Sequence, residues 1–510
     1  MQWLHRDIIF NVFGVEGDVF ENWKVFWMHR ITFACPWMNE RRFILLKRYR
    51  FANIQIMFEK ISIVAAKSRS AVTLLVWGMA FIMFFGLFFS ACLVRNDAYS
   101  KVAPGIWRGV LSLEEYRIPV HDKDTIFSMH EQYKPNELPF NFEVKYLDKD
   151  RFYVEIINGA ERIRVDSVQY GWDRSTARDT FAFYFPEYQS YLHGQIRGGA
   201  MQGEWVVTTK ANYRIPFYAD QGKDFRFTTL QEKPLRDVSG SWATLFGTET
   251  DKTEKAIGEF VQEGNRLSGT FRTETGDYRF LEGTVQGRKL MMSAFDGSHA
   301  FLFTGSIKGD TIEGEFRSGR TYRTLWQAWK DPNFALGDAD SLTFVKKGAE
   351  ALRLQLEPLP GKSWAFPGPQ HLGKVNILTI MGTWCPNCRD EQVFLAQYLK
   401  EHPEIASKVT VSGIAFERHK TAEAANAQLE AYKKRLNLPF ELLYAGEADK
   451  TAAAKLFPGL NQVMAFPTMI ITDKQQRIVR VHTGFDGPAT SRYPEFKAKF
   501  DELMQRLTAE

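Results

Sequence analysis

Cys385 and Cys388 are the pair whose type and spacing most directly imply chemistry in this 510-residue chain. A thiolate attacks a disulfide, and a second thiol three residues on can displace it from the mixed disulfide that forms. The pair lies in Trp384-Cys385-Pro386-Asn387-Cys388. The apolar run Val375 to Met381 before it reads as a buried strand. Arg389 to Lys400 after it reads as a helix, because Phe394 and Tyr398, then Leu395 and Leu399, recur at i,i+4. The cysteines therefore sit where a strand turns into a helix. Pro386 suits the first helical turn, where its missing N–H costs nothing. Cys385 falls at the helix N-terminus, where free N–H groups and the helix dipole favour a thiolate.

Other uses of Cys-x-x-Cys fit less well. A structural zinc site wants four ligands, and no second cysteine pair follows. Haem attachment wants His after the second Cys, where Arg389 stands. A disulfide closing so short a loop would stabilise little. Metal binding and a decayed site remain the alternatives to redox chemistry.

The segment Gly373-Lys374-Val375 through Thr383-Trp384-Cys385-Pro386-Asn387-Cys388-Arg389-Asp390-Glu391 resembles the thioredoxin fold of the TlpA/ResA-like extracytoplasmic thiol–disulfide oxidoreductases. Ala465-Phe466-Pro467-Thr468, ahead of the apolar Met469-Ile470-Ile471, is a second match. The resemblance spans roughly residues 340–510. It implies a cis proline at Pro467 abutting the dithiol and a proton-handling role for Glu391 beside the resolving thiol. From the residues alone, Glu391 lies one helical turn past Cys388, and a solvated glutamate favoured by the helix dipole is the plain alternative. The family's usual proline soon after that Glu is replaced by Val393-Phe394.

Residues 71–94 carry no charge, are mostly apolar, and are long enough to span a bilayer. Arg41, Arg42, Lys47, Arg48, Arg50, Lys60, Lys67 and Arg69 precede them, so the positive-inside rule places everything after Arg95 outside the cytoplasm. The run ends in Phe89-Ser90-Ala91-Cys92, which resembles a bacterial lipobox with Cys92 as the lipid-bearing residue, although Phe89 departs from the usual Leu. Lipidation at Cys92 and an uncleaved transmembrane anchor are the two readings. Both leave the protein membrane-anchored in the cell envelope, facing the periplasm or exterior. Residues 1–56 are an aromatic- and Arg-rich extension without clear period, and Met57 would be a natural start for a signal segment over 57–94. Past Cys92 only Cys385 and Cys388 remain. No second internal pair can exchange electrons with them, so a separate molecule must serve as electron donor or acceptor.

Composition is that of ordinary globular protein, with 45% hydrophobic and 25% charged residues. A net charge of +5 is small for the length and gives no ground for nucleic-acid binding. No metal, nucleotide or flavin signature is present. The redox-active Cys385–Cys388 pair is the expected redox group, with no further cofactor.

Residues 101–332 read as β structure. Phe152, Val154 and Ile156 alternate along one strand, and Gly264, Gly276, Gly287, Gly297 and Gly309 recur ten to twelve residues apart as turn residues. Gly105-Ile106-Trp107 is echoed by Gly240-Ser241-Trp242. Gly194-Gln195-Ile196-Arg197-Gly198 with Gly203-Glu204-Trp205 is echoed by Gly305-Ser306-Ile307-Lys308-Gly309 with Gly314-Glu315-Phe316. Two tandem β-rich units, barrel or sandwich, are expected at 101–236 and 237–332. The Gly-x-Trp openings faintly resemble lipocalin-like barrels. A spacer or partner-docking role is the plain reading of this region, with small-ligand binding behind it.

Residues 338–510 alternate strands and helices, which predicts a self-contained α/β, thioredoxin-like domain. The expected activity is protein disulfide reduction: Cys385 as nucleophile, Cys388 as resolving thiol, Glu391 as its proton acceptor, with Trp384, Pro386 and Pro467 shaping the site. The alternative is a surface ligand- or partner-binding protein whose thioredoxin fold is only scaffold.

Overall fold

The computed structural model describes residues 101–113, 134 and 136–509. Residues 1–56, the 71–94 run, Cys92, His121 and His130 lie outside the described residues. Among the described residues, no helix is long and apolar enough to cross a membrane.

Alternation does what it predicts in the β region. Phe152, Val154 and Ile156 are buried along Phe152–Asn158, while Tyr153 and Glu155 between them are not. An antiparallel nine-stranded sheet runs from Gly105–Ser112 to Arg214–Gln221 and is left open between Glu161–Val165 and Val168–Asp173. The next unit closes. From Gly240–Phe246 to Tyr322–Trp329, eight antiparallel strands pair in sequence, and the first pairs with the last, Ala243 opposite Trp329. Closure leaves this unit without free sheet edges. Gly264 and Gly309 open two-residue hairpin turns with φ +61° each, a conformation that a side chain would strain.

The echoed motifs occupy equivalent places in the two units. Trp107 Nε1 donates to Ala103 O at 2.9 Å and Trp242 Nε1 to Val238 O at 2.7 Å. Gly194 pairs with Gly203 in one sheet, as Gly305 pairs with Gly314 in the other. Aromatic side chains fill the closed barrel: Phe303 stacks on Phe316 at 4.3 Å, with Trp242, Phe246, Phe271 and Trp326 buried around them. A small barrel packed this way is a core.

The units do not hang as separate beads. Met291, Phe295, Ala300 and Leu302 of the barrel are buried in the core of the open sheet. Phe295 packs tilted against Phe140, ring centres 4.5 Å apart, and Asn158 both donates to Phe295 O (2.9 Å) and accepts from Phe295 N (3.2 Å). Asn158 is thus paired on both its amide atoms at this seam.

The C-terminal part is an α/β sheet of five strands. β1 (Val375–Met381), β2 (Val409–Glu417) and β3 (Glu441–Glu447) are parallel. β4 (Thr468–Thr472) lies antiparallel to β1, and β5 (Ile478–Thr483) antiparallel to β4, giving the order β3-β2-β1-β4-β5. β1 is buried throughout, as a central strand covered on both faces must be. The principal helices are α1 (Pro386–Glu401), α2 (Ala422–Leu436), α3 (Lys450–Leu456) and α4 (Tyr493–Ala509). Thr421 caps α2 through Ala424 N at 3.2 Å, and a hairpin of Leu354–Leu359 with Lys362–Phe366 precedes the sheet. Pro358 lies within the first strand of that hairpin.

Candidate active site

The site grows from the C-terminal end of β1. Gly382 and Thr383 form the turn into α1, and they are held from β2. Glu417 accepts from Thr383 N at 2.7 Å and from Thr383 Oγ1 at 2.8 Å. Burial lifts the Glu417 carboxyl to about 7 in spite of those two bonds. Trp384 Nε1 donates to Phe416 O at 2.8 Å, and the Arg418 guanidinium lies 4.2 Å over the indole. A side chain at 382 would run into that indole, since a Cβ there would stand 2.3 Å from Trp384 Nε1. The tryptophan is therefore clamped against the site rather than free to swing.

Cys385 is the N-cap of α1, and Pro386 takes the first helical position. The Cys388 N–H donates to Cys385 Sγ at 3.3 Å, and the Cys385 thiol donates to Phe466 O at 3.5 Å. Both cysteines are free thiols. Cys385 keeps 7% of its surface and Cys388 none, so only the first can be reached from outside. Burial, and then the neighbouring Cys385, hold the Cys388 thiol well above its ordinary range. The Phe466–Pro467 peptide is cis, and Pro467 is buried beside the pair. Phe466 meets Trp384 edge to face at 5.5 Å.

Glu391 is not the solvated glutamate that its helix position allows. It is fully buried, Oε1 has no partner, and Oε2 receives only a long 3.4 Å bond from Gln392 Nε2. That amide is itself anchored to Thr379 Oγ1 at 3.0 Å. Burial, reinforced by the charge of Cys385, pushes the carboxyl well above its usual range. An ionisable group so poorly satisfied in a core is costly to keep and marks a place where a proton can be held or passed.

Cys385, Cys388, Glu391, Trp384, Pro386 and Pro467 are thus brought together around one turn. Cys92 lies outside the described residues. Among the described residues, no three His, Cys, Asp or Glu side chains are gathered so as to hold a metal ion.

The β barrel also belongs to the site. Arg279 of the barrel donates to Pro386 O at 3.1 Å and to Asp390 of α1 at 2.6 Å, and it pairs with Glu161 of the open sheet. One buried guanidinium therefore ties all three parts together at the dithiol. Asn387 Nδ2 donates to Asp277 O at 3.2 Å, and Ser298 Oγ to Trp384 O at 3.4 Å. The Asp277 carboxylate accepts from Arg279 N (2.6 Å) and Gly487 N (2.9 Å). Burial, and then Asp390, raise it to about 7. Residues 101–332, read from the sequence as a spacer or partner-docking module with small-ligand binding behind it, thus touch the dithiol turn directly. Arg279, Asp277 and Ser298 carry no local signal, because their partners lie some hundred residues away. Glu417 and Arg418 left a trace, a charged pair closing the apolar run of β2.

No family model matches the chain. The thioredoxin-like protein YneN of Bacillus subtilis (strain 168) is 28% identical over 143 residues, which are 28% of this chain and 73% of that protein. Solved structures that align include a thioredoxin-family thiol:disulfide interchange protein from Chlorobium tepidum TLS, at 21% identity and a TM-score of 0.23 over 31% of this chain and 95% of that one. A secreted thiol-disulfide isomerase from Corynebacterium glutamicum aligns at 17% identity and a TM-score of 0.26 over 35% and 99%. Thioredoxin-like relatives thus cover about a third of the chain.

Proposed function

We propose that this chain is a membrane-anchored, extracytoplasmic thiol–disulfide oxidoreductase of TlpA/ResA-like type, working through its Cys-Pro-Asn-Cys dithiol. The observation that carries the reading is the reachable Cys385 sulfur at a helix N-cap, backed by a fully buried thiol and a fully buried, under-bonded carboxyl.

The Cys385 thiolate attacks one sulfur of a substrate disulfide; that S–S bond breaks, and one substrate thiol leaves with a proton. Mixed-disulfide formation removes the negative charge from Cys385. That charge was one cause holding both Glu391 and Cys388 protonated. Its loss lets Glu391 release its own proton to solvent, replacing the one that the first substrate thiol took up there, and the ionised carboxylate then takes the proton of Cys388. The Cys388 thiolate then attacks Cys385 Sγ, the Cys385–Cys388 disulfide forms, and the second substrate thiol is released with the proton from Glu391. Two electrons and two protons pass to substrate, and a separate thiol donor must restore the pair. The redox group is the dithiol itself, with no further cofactor. The partners are a protein disulfide or dithiol, that separate donor or acceptor, and a membrane reached through residues 71–94 or a lipid on Cys92. The similarity to a protein described as a secreted thiol-disulfide isomerase is in keeping with an envelope location. On this reading the 338–510 segment is the catalytic domain and the 101–236 and 237–332 units are its β-rich companions.

The test is transfer from the reduced full chain to a disulfide-bearing peptide. Cys385→Ser and Cys388→Ser together should abolish it. Transfer that survives the double substitution would sink the reading. A ligand-binding protein with a thioredoxin scaffold is the weaker reading, because the dithiol, Pro467 and Glu391 are all assembled and aromatic side chains fill the barrel interior.

A further inference from the structure

We propose that the second β unit is a size gate: it restricts the dithiol to disulfides on narrow carriers, either free small-molecule disulfides or extended chain segments, and turns away disulfides on folded surfaces. The inference rests on the oxidoreductase reading above and adds what the substrate must look like.

The ground beside the CxxC turn is already occupied. The hairpin Thr273–Asp277 and the residues after it run along Pro386 and Asn387. Gly276 approaches Asn387 so closely that a Cβ would stand 2.1 Å from Nδ2, and a Cβ on Gly484 would meet the Thr275 backbone at 2.8 Å. On the far side of the pair, Ser298 reaches the Trp384 carbonyl. Between them a cavity of about 250 Å³ remains. Cys385, Trp384, Arg418 and Phe466 line it from the α/β part; Thr275, Tyr278 and Phe301 line it from the barrel. That volume is enough for a few side chains and too small for the face of a folded domain. The 7% of Cys385 left exposed is reached through this space.

The wall is fastened. Arg279 holds the start of α1 at Pro386 O and Asp390, and its own charge is shared with Glu161. Asp277 bonds Gly487. Glu259 of the barrel accepts from Ser491 N at 2.8 Å and Ser491 Oγ at 2.9 Å, just ahead of α4. Pulling the barrel away would strip the buried Arg279 guanidinium of Pro386 O and Asp390 and would break the Asp277–Gly487 and Glu259–Ser491 bonds with it, a cost for each encounter with a bulky client. A substrate that fits inside the gap avoids that cost.

The test is single-turnover oxidation of the reduced full chain by three disulfides: cystine, a linear peptide with one disulfide, and a stable folded domain with one surface disulfide. Each rate is divided by that of dithiothreitol with the same disulfide, which removes intrinsic reactivity. Cystine or the peptide should exceed the folded domain at least tenfold. Faster cystine assigns the gap to small disulfides; faster peptide assigns it to chain segments. Equal normalised rates, or a faster folded domain, overturn the gate while leaving the oxidoreductase reading intact. Oxidation of the pair by none of the three removes that reading, and the gate with it. Asp277→Ala and, separately, Arg279→Ala unfasten the wall, and the folded-domain rate should move at least threefold toward that of the peptide. If both variants fold and neither ratio moves, the barrel is not the gate. If neither folds, the comparison of the three disulfides on the unsubstituted chain decides.

Discussion

At the residue scale, the two thiols differ in access and in cost of ionisation, and their variants should differ accordingly. Cys388→Ser leaves a reachable nucleophile with no resolving partner, so a mixed disulfide between Cys385 and a physiological client should accumulate on non-reducing gels. Cys385→Ser leaves only a fully buried thiol and should trap little. Equal trapping by both would remove Cys385 as nucleophile. In the proposed mechanism Glu391 acts in the second step only when ionised, and its carboxyl is raised. Resolution of a preformed mixed disulfide should therefore speed up as pH rises through that raised range. Glu391→Gln should slow resolution by roughly a hundredfold or more, the lower end of what a positioned acid–base group contributes, and flatten its pH dependence below the thiol's own titration. Unchanged resolution kinetics in the glutamine variant would make Glu391 a structural residue.

At the scale of elements, the seam between the barrel and α1 holds one carboxyl, that of Asp277, whose titration burial raises. Asp277 titrates at about 7 in the fold, against an ordinary value of 3.8. Between those values the unfolded chain has lost the proton and the folded chain still holds it, so folding stability falls as pH rises through this window. Glu417, also at about 7, adds a decline of the same sign from 4.5 upward. Asp277→Asn removes one of these contributions. The asparagine can offer only one oxygen to the two N–H groups of Arg279 and Gly487, so it should be less stable than the parent at pH 5. By pH 8 the deficit should shrink or reverse. Melting temperatures of both proteins at the two pH values check this, and a constant difference would mean that Asp277 does not titrate with unfolding. The physical cause is desolvation with a like charge, Asp390, as its neighbour.

At the scale of the molecule, the three parts are bound by shared core and shared charge. Barrel residues complete the open sheet's core, and Arg435 of α2 pairs with Glu187 in the turn Pro186–Tyr188 between two of that sheet's strands. The chain is expected to present this whole assembly outside the cytoplasm, since a 24-residue uncharged run follows a basic flank. A reporter fused after residue 100 should be active only where exported reporters are, and a cytoplasmic signal would end that expectation. Metabolic labelling with palmitate should be lost in Cys92→Ala if the anchor is a lipid. Label-free protein that stays in the membrane fraction would assign the anchor to residues 71–94 instead.

Local pattern was enough for much of this protein. The apolar run of β1, the Cys-Pro-Asn-Cys turn, Thr421 at the start of α2 and the short strands around Asp473 are all legible because strand period, helix period and capping depend on neighbours in sequence. The tandem repeat in the β region was legible too, because glycine at a tight pairing and tryptophan bonded four residues back recur wherever the same hairpin is built. Closure was not. In both units the first strand meets the last, Gly109 opposite Ala219 and Ala243 opposite Trp329, pairings that no local window contains; only the second unit also pairs Glu254–Glu263 with Arg266–Thr273, where the first leaves Glu161–Val165 and Val168–Asp173 apart. The same reason hid half of the site. Arg279 and Pro386, 107 residues apart, meet only through packing. The redox chemistry proposed for the dithiol follows from its own few residues; the room left in front of it was decided by how the barrel docks, because access is a property of surfaces brought together.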